Sequence, residues 1–196
     1  MENIRQRFVK SQLRESAAVK NACAENLPAA IESAALLMAE ALKGGGKIMF
    51  CGNGGSAADS QHLATEIVVR LSGSFDRPAL PALALTTDSS ILTAAGNDFG
   101  FETIFSRQVE ALAGAADLLI AISTSGNSAN VIKAVESARK LNIRCIALLG
   151  QDGGKLKSIA DIALCVPSTD VQRIQEAHIA IGHVLIGLVE MELFNR

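Results

Sequence analysis

Five short apolar runs punctuate the chain, at 47–51 (KIMFC), 82–86 (ALALT), 118–122 (LLIAI), 144–149 (RCIALL) and 162–166 (IALCV). Each is continuous rather than alternating, the pattern of a strand buried on both faces. Between them lie helix-like segments near 56–71, 99–113 and 128–141, a short one near 154–159 and a long final one near 171–194. Two further helices are predicted ahead of the first strand. Residues 3–20 set Ile4, Phe8, Val9, Leu13 and Ala17 at helical spacing. Residues 27–43 do the same with Leu27, Ile31, Ala35, Met38 and Leu42, then stop at Gly44-Gly45-Gly46. Buried strands alternating with helices predict a three-layer α/β/α fold: a five-stranded parallel sheet with flavodoxin-like strand order, plus N-terminal helices.

A chain of 196 residues fits one domain, 1–196, of which 1–44 form the N-terminal helices. The stretch 73–81 (GSFDRPALP) reads as a surface loop, because a boundary there would leave neither half a sufficient core. With 49% hydrophobic and 19% charged residues the chain is globular. A net charge of −2, 4% aromatics and no Trp or Tyr argue against a nucleic-acid surface of basic stripes and stacking rings. The charged N-terminus has no uninterrupted apolar core of a secretory signal. The apolar stretch 179–189 is interrupted by His183 and shorter than a membrane span needs. A cytoplasmic protein with neither nucleic-acid nor membrane partners is expected. Cys23, Cys51, Cys145 and Cys165 form no Cys-x-x-Cys pair, and three fall inside strand-like runs, so they read as small buried hydrophobes.

The candidate chemistry lies in loops that open helices. After the first run come Gly52, Asn53, Gly54, Gly55, Ser56 and Ala57. Glycines there let backbone N–H groups approach an anion or a sugar oxygen. Read literally, Gly52-x-Gly54-x-x-Ala57 also fits a dinucleotide fingerprint. That reading wants a carboxylate roughly 20 residues on, and the candidate at the next strand end, Asp88, is farther away. The third run leads into Ser123, Thr124, Ser125, Gly126, Asn127 and Ser128, whose hydroxyls and helix-start amides make a phosphate cradle without a lysine. The alternative is an ordinary helix cap at Ser128. His62 and Glu66, four apart on a helix, could supply two metal ligands or a carboxylate with an imidazole partner, or be a plain surface pair. Gln175 and His183 lie two turns apart on one side of the last helix, where His183 could equally be a core histidine.

The strings CGNGGSAAD (51–59), QHLATE (61–66), TTDSS (86–90), GNDFGF (96–101), STSGNSANV (123–131), DGGK (152–155) and RIQEAHIAIGH (173–183) resemble those of the bacterial phosphoheptose isomerases, members of the sugar isomerase (SIS) domain family. Seven motifs in one order and spacing, over essentially the whole chain, carry the resemblance. It implies a cytoplasmic homotetramer, assembled in part by the N-terminal helices, that converts sedoheptulose 7-phosphate to D-glycero-D-manno-heptose 7-phosphate, the entry step to the heptose of lipopolysaccharide core. It implies one zinc ion per subunit held by His62, Glu66, Gln175 and His183. It also implies substrate contacts from Asn53, Gly54, Gly55, Ser56, Glu66, Asn97, Asp98, Ser123, Thr124, Ser125, Ser128 and Gln175. Gln172 departs from the pattern, standing where some members carry an acidic residue, with Asp170 nearby.

The residue types suit the reaction. Aldose–ketose isomerisation passes through an enediol or enediolate and needs one group for a carbon-bound proton and another for the oxygens. Glu66 as base and His183 as acid meet that need. Some relatives of this fold instead form non-catalytic tetramers that bind the replication initiator DnaA, but they lack the glutamate equivalent to Glu66, which this chain keeps. Sugar-phosphate-sensing SIS modules usually accompany a DNA-binding domain, and none is present in this sequence.

Overall fold

A computed structural model describes residues 3–195. Five strands, β1 (Ile48–Gly52), β2 (Ala82–Ala84), β3 (Leu118–Ser123), β4 (Arg144–Gly150) and β5 (Ile162–Val166), form one parallel sheet in the order β2-β1-β3-β4-β5. The expected three-layer architecture and flavodoxin-like order are what the chain adopts. β1 and β3 are neighbours, in register from Ile48 opposite Leu118 to Gly52 opposite Ile122, so the loops that follow them leave from the same edge.

Side chains alternate across the pleat and divide the core in two. Ile48, Phe50, Leu118, Ile120, Ile146 and Leu148 face one cluster, which α1 (Ile4–Asn26), α2 (Pro28–Lys43), α3 (Gly55–Val68) and α8 (Val171–Phe194) complete. Met49, Cys51, Leu119, Ala121, Cys145 and Ala147 face the other, under α5 (Ser106–Leu112), α6 (Ala129–Lys140) and α7 (Leu156–Ile159). Cys23, Cys51 and Cys145 are buried free thiols and Cys165 is half-buried, consistent with a packing role. Burial pushes the Cys145 thiol up to about 12, and Cys51 is raised by burial as well.

The sequence pattern misplaces one region. Where one helix is expected, over 99–113, there are two, and the first, α4 (Ser89–Phe99), lies almost wholly ahead of that span; a 3-10 turn at Phe101–Thr103 joins it to α5. Gly100, at φ +92°, ends the first of them, a backbone conformation that side chains avoid. Asp88 starts it, its carboxylate accepting from the Ile91 amide at 3.0 Å. α4 fully buries only Ala95, with Leu92 half-buried beside it, so its inward stripe is short.

Two other expectations change. α1 runs six residues past the predicted end at 20, and Ile4, Phe8, Val9 and Leu13 of its apolar stripe face outward, each more than half exposed. α8, 24 residues with a mean hydropathy of 1.5 over its most apolar window, is long and apolar enough to cross a membrane, although the stretch 179–189 alone is not. In this fold it is a core helix, burying Ile174, Ala177, Ile181, Leu185, Ile186 and Val189.

Candidate active site

The β1–α3 loop turns at Gly54, whose φ of +55° and ψ of −120° only glycine adopts readily. No side chain caps α3, which leaves its start to backbone donors. Asn53 is half-buried and Gly54 and Gly55 are exposed. Ser56 points the other way: it is buried, and a Cβ on Gly52 would lie 2.8 Å from its own Cβ.

The hydroxyl loop sits beside it at the end of β3. Ser123 Oγ lies 3.1 Å from Ser128 Oγ. Ser128 occupies the N-cap position of α6 yet makes no side-chain cap, so its hydroxyl turns toward Ser123 and the loop interior rather than to the helix amides. Ser125 is exposed and Thr124 half-buried. The 151–155 turn braces this loop from behind. Gly150 N donates to Thr124 O at 3.2 Å, Leu156 N to Gly126 O at 3.0 Å and Lys155 N to Asn127 Oδ1 at 3.1 Å. A Cβ on Gly126 would fall 2.0 Å from Gly153 O, so the two turns touch backbone to backbone. That contact gives the DGGK string a physical reason.

Asn130 joins the two loops. It is buried, and it exchanges two amide hydrogen bonds with Asn53, both 2.8 Å. A pair bonded in both directions fixes both side-chain orientations. Sequence reasoning passed over Asn130; its place two residues past Ser128 on the first turn of α6 was the only signal.

The third component spans the chain. α3 and α8 run side by side in the same direction, because their contacts pair in order. Gly55 meets Gln175, a Cβ there lying 2.5 Å from Nε2, and Gly182 meets Leu63, a Cβ there lying 2.4 Å from Cδ2. Glycine at those two positions permits the close approach. His62 and His183 consequently face each other, Nε2 to Nε2 at 2.9 Å, with the rings edge to face. Glu66 Oε1 is 3.5 Å from His62 Nε2, and Glu66 Oε2 is buried without a partner.

Among the described residues, His62, Glu66 and His183 form a group whose ligand atoms all lie within 4.8 Å of one another. Two imidazole nitrogens and an unpaired carboxylate oxygen are a donor set that suits zinc. Gln175 lies on α8 against the start of α3. His62 and Glu66 do form an i,i+4 pair on α3, and His183 of α8 comes up against it. Asp59, one turn before His62, went unnoticed in the sequence. Its Oδ2 is buried and unpaired, and burial pushes its carboxyl up to about 6 against the opposing pull of His62.

Two predicted contacts stay apart from this group. Asn97 and Asp98 are exposed near the end of α4, bonded to each other at 2.8 Å, and Asp98 borders a cleft shared with Phe99 and Arg107. Asp170 caps α8 through the amides of Gln172 and Arg173, and Gln172 Oε1 accepts from Arg173 at 3.3 Å.

Comparison with known proteins agrees with this architecture. Residues 13–150 match the SIS domain family. The phosphoheptose isomerase of Citrifermentans bemidjiense is 55% identical over 186 residues, covering 95% of this chain and 96% of that protein. The structure of phosphoheptose isomerase GmhA from Neisseria gonorrhoeae superposes with a TM-score of 0.88 at 46% identity, covering 94% and 98% of the two chains. That of a phosphoheptose isomerase from Francisella tularensis does so with 0.91 at 40% identity, covering 96% and 100%. The chain belongs to the SIS-domain family of phosphoheptose isomerases.

Proposed function

We propose that this protein converts sedoheptulose 7-phosphate to D-glycero-D-manno-heptose 7-phosphate, the first step toward the heptose of lipopolysaccharide core. The observation that carries this reading is the meeting of Glu66 and His183, far apart in sequence, on the helix pair that begins at the loop edge of the sheet. Ser123, Thr124, Ser125 and Ser128 would take the phosphate through hydroxyls and backbone donors. Asn53, Gly54 and Gly55 would hold the sugar hydroxyls, and Gln175 the reacting end.

In the reaction Glu66 removes the proton from C1 of the ketose and returns it to C2. His183 donates a proton to the C2 oxygen and recovers one from the C1 oxygen, so that no atom is gained or lost. Held by His62, Glu66, Gln175 and His183, a zinc ion would polarise the carbonyl and adjacent hydroxyl oxygens. The partnerless oxygen of Glu66 and the two facing imidazoles favour that occupant.

Assembly as a homotetramer in the cytoplasm is part of the proposal. Two features support self-association: the exposed stripe of Ile4, Phe8, Val9 and Leu13, and an apolar cavity of about 500 Å³ between α1, α2 and α8. The non-catalytic DnaA-binding reading is not favoured, because Glu66 is present and placed in the cluster.

The test is to follow sedoheptulose 7-phosphate by proton NMR in D₂O with the purified protein, before and after chelation and with zinc restored. Aldoheptose phosphate formed only with metal is the expected result. No conversion by the folded, zinc-supplied protein would overturn the proposal.

A further inference from the structure

Arg77 is the most unexpected residue of the 73–81 loop. Its neighbours Asp76 and Pro78 are exposed, yet its own side chain and that of Glu190 are each only 1% exposed. Three acceptors hold its guanidinium: Nε donates to Glu190 Oε1 at 2.8 Å, Nη2 to Glu66 O at 2.7 Å and Nη1 to Pro78 O at 3.1 Å. The Glu66 carbonyl is one of the last four of α3, which have no partner within the helix. Arg77 therefore closes the end of α3 at the residue read here as the base.

Glu190 lies on α8 seven residues past His183. At about 100° per residue that returns to nearly the same side of the helix, two turns on. The helices that bring Glu66 to His183 are thus tied together a second time, farther along, by a fork bonded to both. A buried charge pair is poor evidence for stability, since apolar side chains of similar volume often serve as well. What a planar five-donor fork supplies is a single permitted arrangement of the groups around it.

We propose that Arg77, held by Glu190, is a positioning residue that sets the separation of α3 and α8 at Glu66 and His183, and so the metal affinity and turnover of the site. The proposal rests on the reading of Glu66 and His183 as the reacting pair. Arg77 touches neither substrate nor metal. It acts through the backbone of Glu66.

The experiment compares the wild-type protein with R77K and with the double variant R77M/E190L, which removes both charges and leaves neither buried alone. Four quantities are read: thermal unfolding, zinc affinity by chelator competition, kcat with KM, and the His62 to His183 Nε2 distance in crystals of each protein, compared with the 2.9 Å described above. Expected is a double variant that melts near the wild type but binds zinc roughly tenfold or more weakly, with kcat lower by a similar factor, KM little changed and the imidazoles displaced. A folded double variant with wild-type zinc affinity and kcat would overturn the proposal. If that variant fails to fold, R77K decides. Lysine keeps the charge but cannot serve all three acceptors, and a folded R77K with unchanged zinc affinity and turnover also refutes the role. If neither variant folds, Arg77 is a determinant of the fold and the proposal fails. An inactive wild type would refute the isomerase reading, while zinc affinity and crystal distance still judge the brace.

Discussion

The hydroxyl loop and the α3–α8 cluster serve one proposed site but are assembled by opposite routes. The loop is six consecutive residues at the end of a buried strand, Ser123 to Ser128, shaped by Gly126 and braced by the next turn. The cluster joins residues 121 positions apart and exists only because two helices pack closely at Gly55 and Gly182. A local turn can lose one hydroxyl and keep its shape. A cluster built by packing depends on everything that spaces the helices. The first arrangement is robust and individually weak; the second is exacting, and each member matters.

That difference is sharpest at Glu66. Glu66→Gln is expected to lower kcat by roughly 10² to 10⁴-fold with sugar-phosphate binding retained; a near-normal kcat, with binding checked by calorimetry, would break the asymmetry.

The packed half should also respond to pH in a way the loop does not. His178 on α8 is fully buried, its Nε2 3.0 Å from Leu149 O and its Nδ1 unpaired, and burial lowers its pKa from 6.5 to about 4. The folded chain keeps this ring neutral while the unfolded chain takes up a proton below about 6.5. Its effect on stability is therefore flat above that value and unfavourable as pH falls from about 6.5 to 4, on the order of 3 kcal/mol in all. Asp59 works in the opposite sense: its raised pKa adds stability that is fully present below 3.8 and lost as pH rises through about 6. Because the two effects oppose each other, melting curves across this range should show His178→Gln gaining stability, relative to the parent protein, as pH falls from about 6.5 to 4, and equal slopes in the two would remove His178 from the account.

Gly182→Ala should cost about 1–3 kcal/mol by forcing Leu63 aside, and should weaken zinc binding as well. Unchanged zinc affinity would mean that the helix spacing tolerates more than the cluster suggests. Smallest are the loop hydroxyls. Ser123→Ala and Ser128→Ala should each raise KM by about fivefold, the worth of one ordinary hydrogen bond, with kcat preserved. Unchanged substrate affinity in both would move the phosphate elsewhere.

The same local and long-range division governs what the sequence discloses. The strands were legible because both of their faces are buried, and the two loops because glycines and hydroxyls crowd into a few positions. α4 was not, since only Ala95 and the half-buried Leu92 turn inward between its bounds at Asp88 and Gly100, while Ile91 and Phe99 are exposed. His62, Glu66 and His183 were individually ambiguous: spacing along one helix says nothing about which other helix lies opposite, and only their motif context singled them out. Asn130, Asp59 and Arg77 left no periodic trace. Asn130 and Arg77 depend on partners, and Asp59 on a burial, that folding alone supplies.

The parallel pairing of α3 with α8 has a consequence for synthesis. His62 and Glu66 leave the ribosome well before His183, and at usual elongation rates the interval is on the order of ten seconds. Over roughly the second half of that time the nascent chain holds its hydroxyl loop complete but lacks one imidazole of the cluster. A message truncated before the codon for Arg173 would yield a chain carrying the proposed phosphate loop and the base without the acid, with α8 missing from one face of the core.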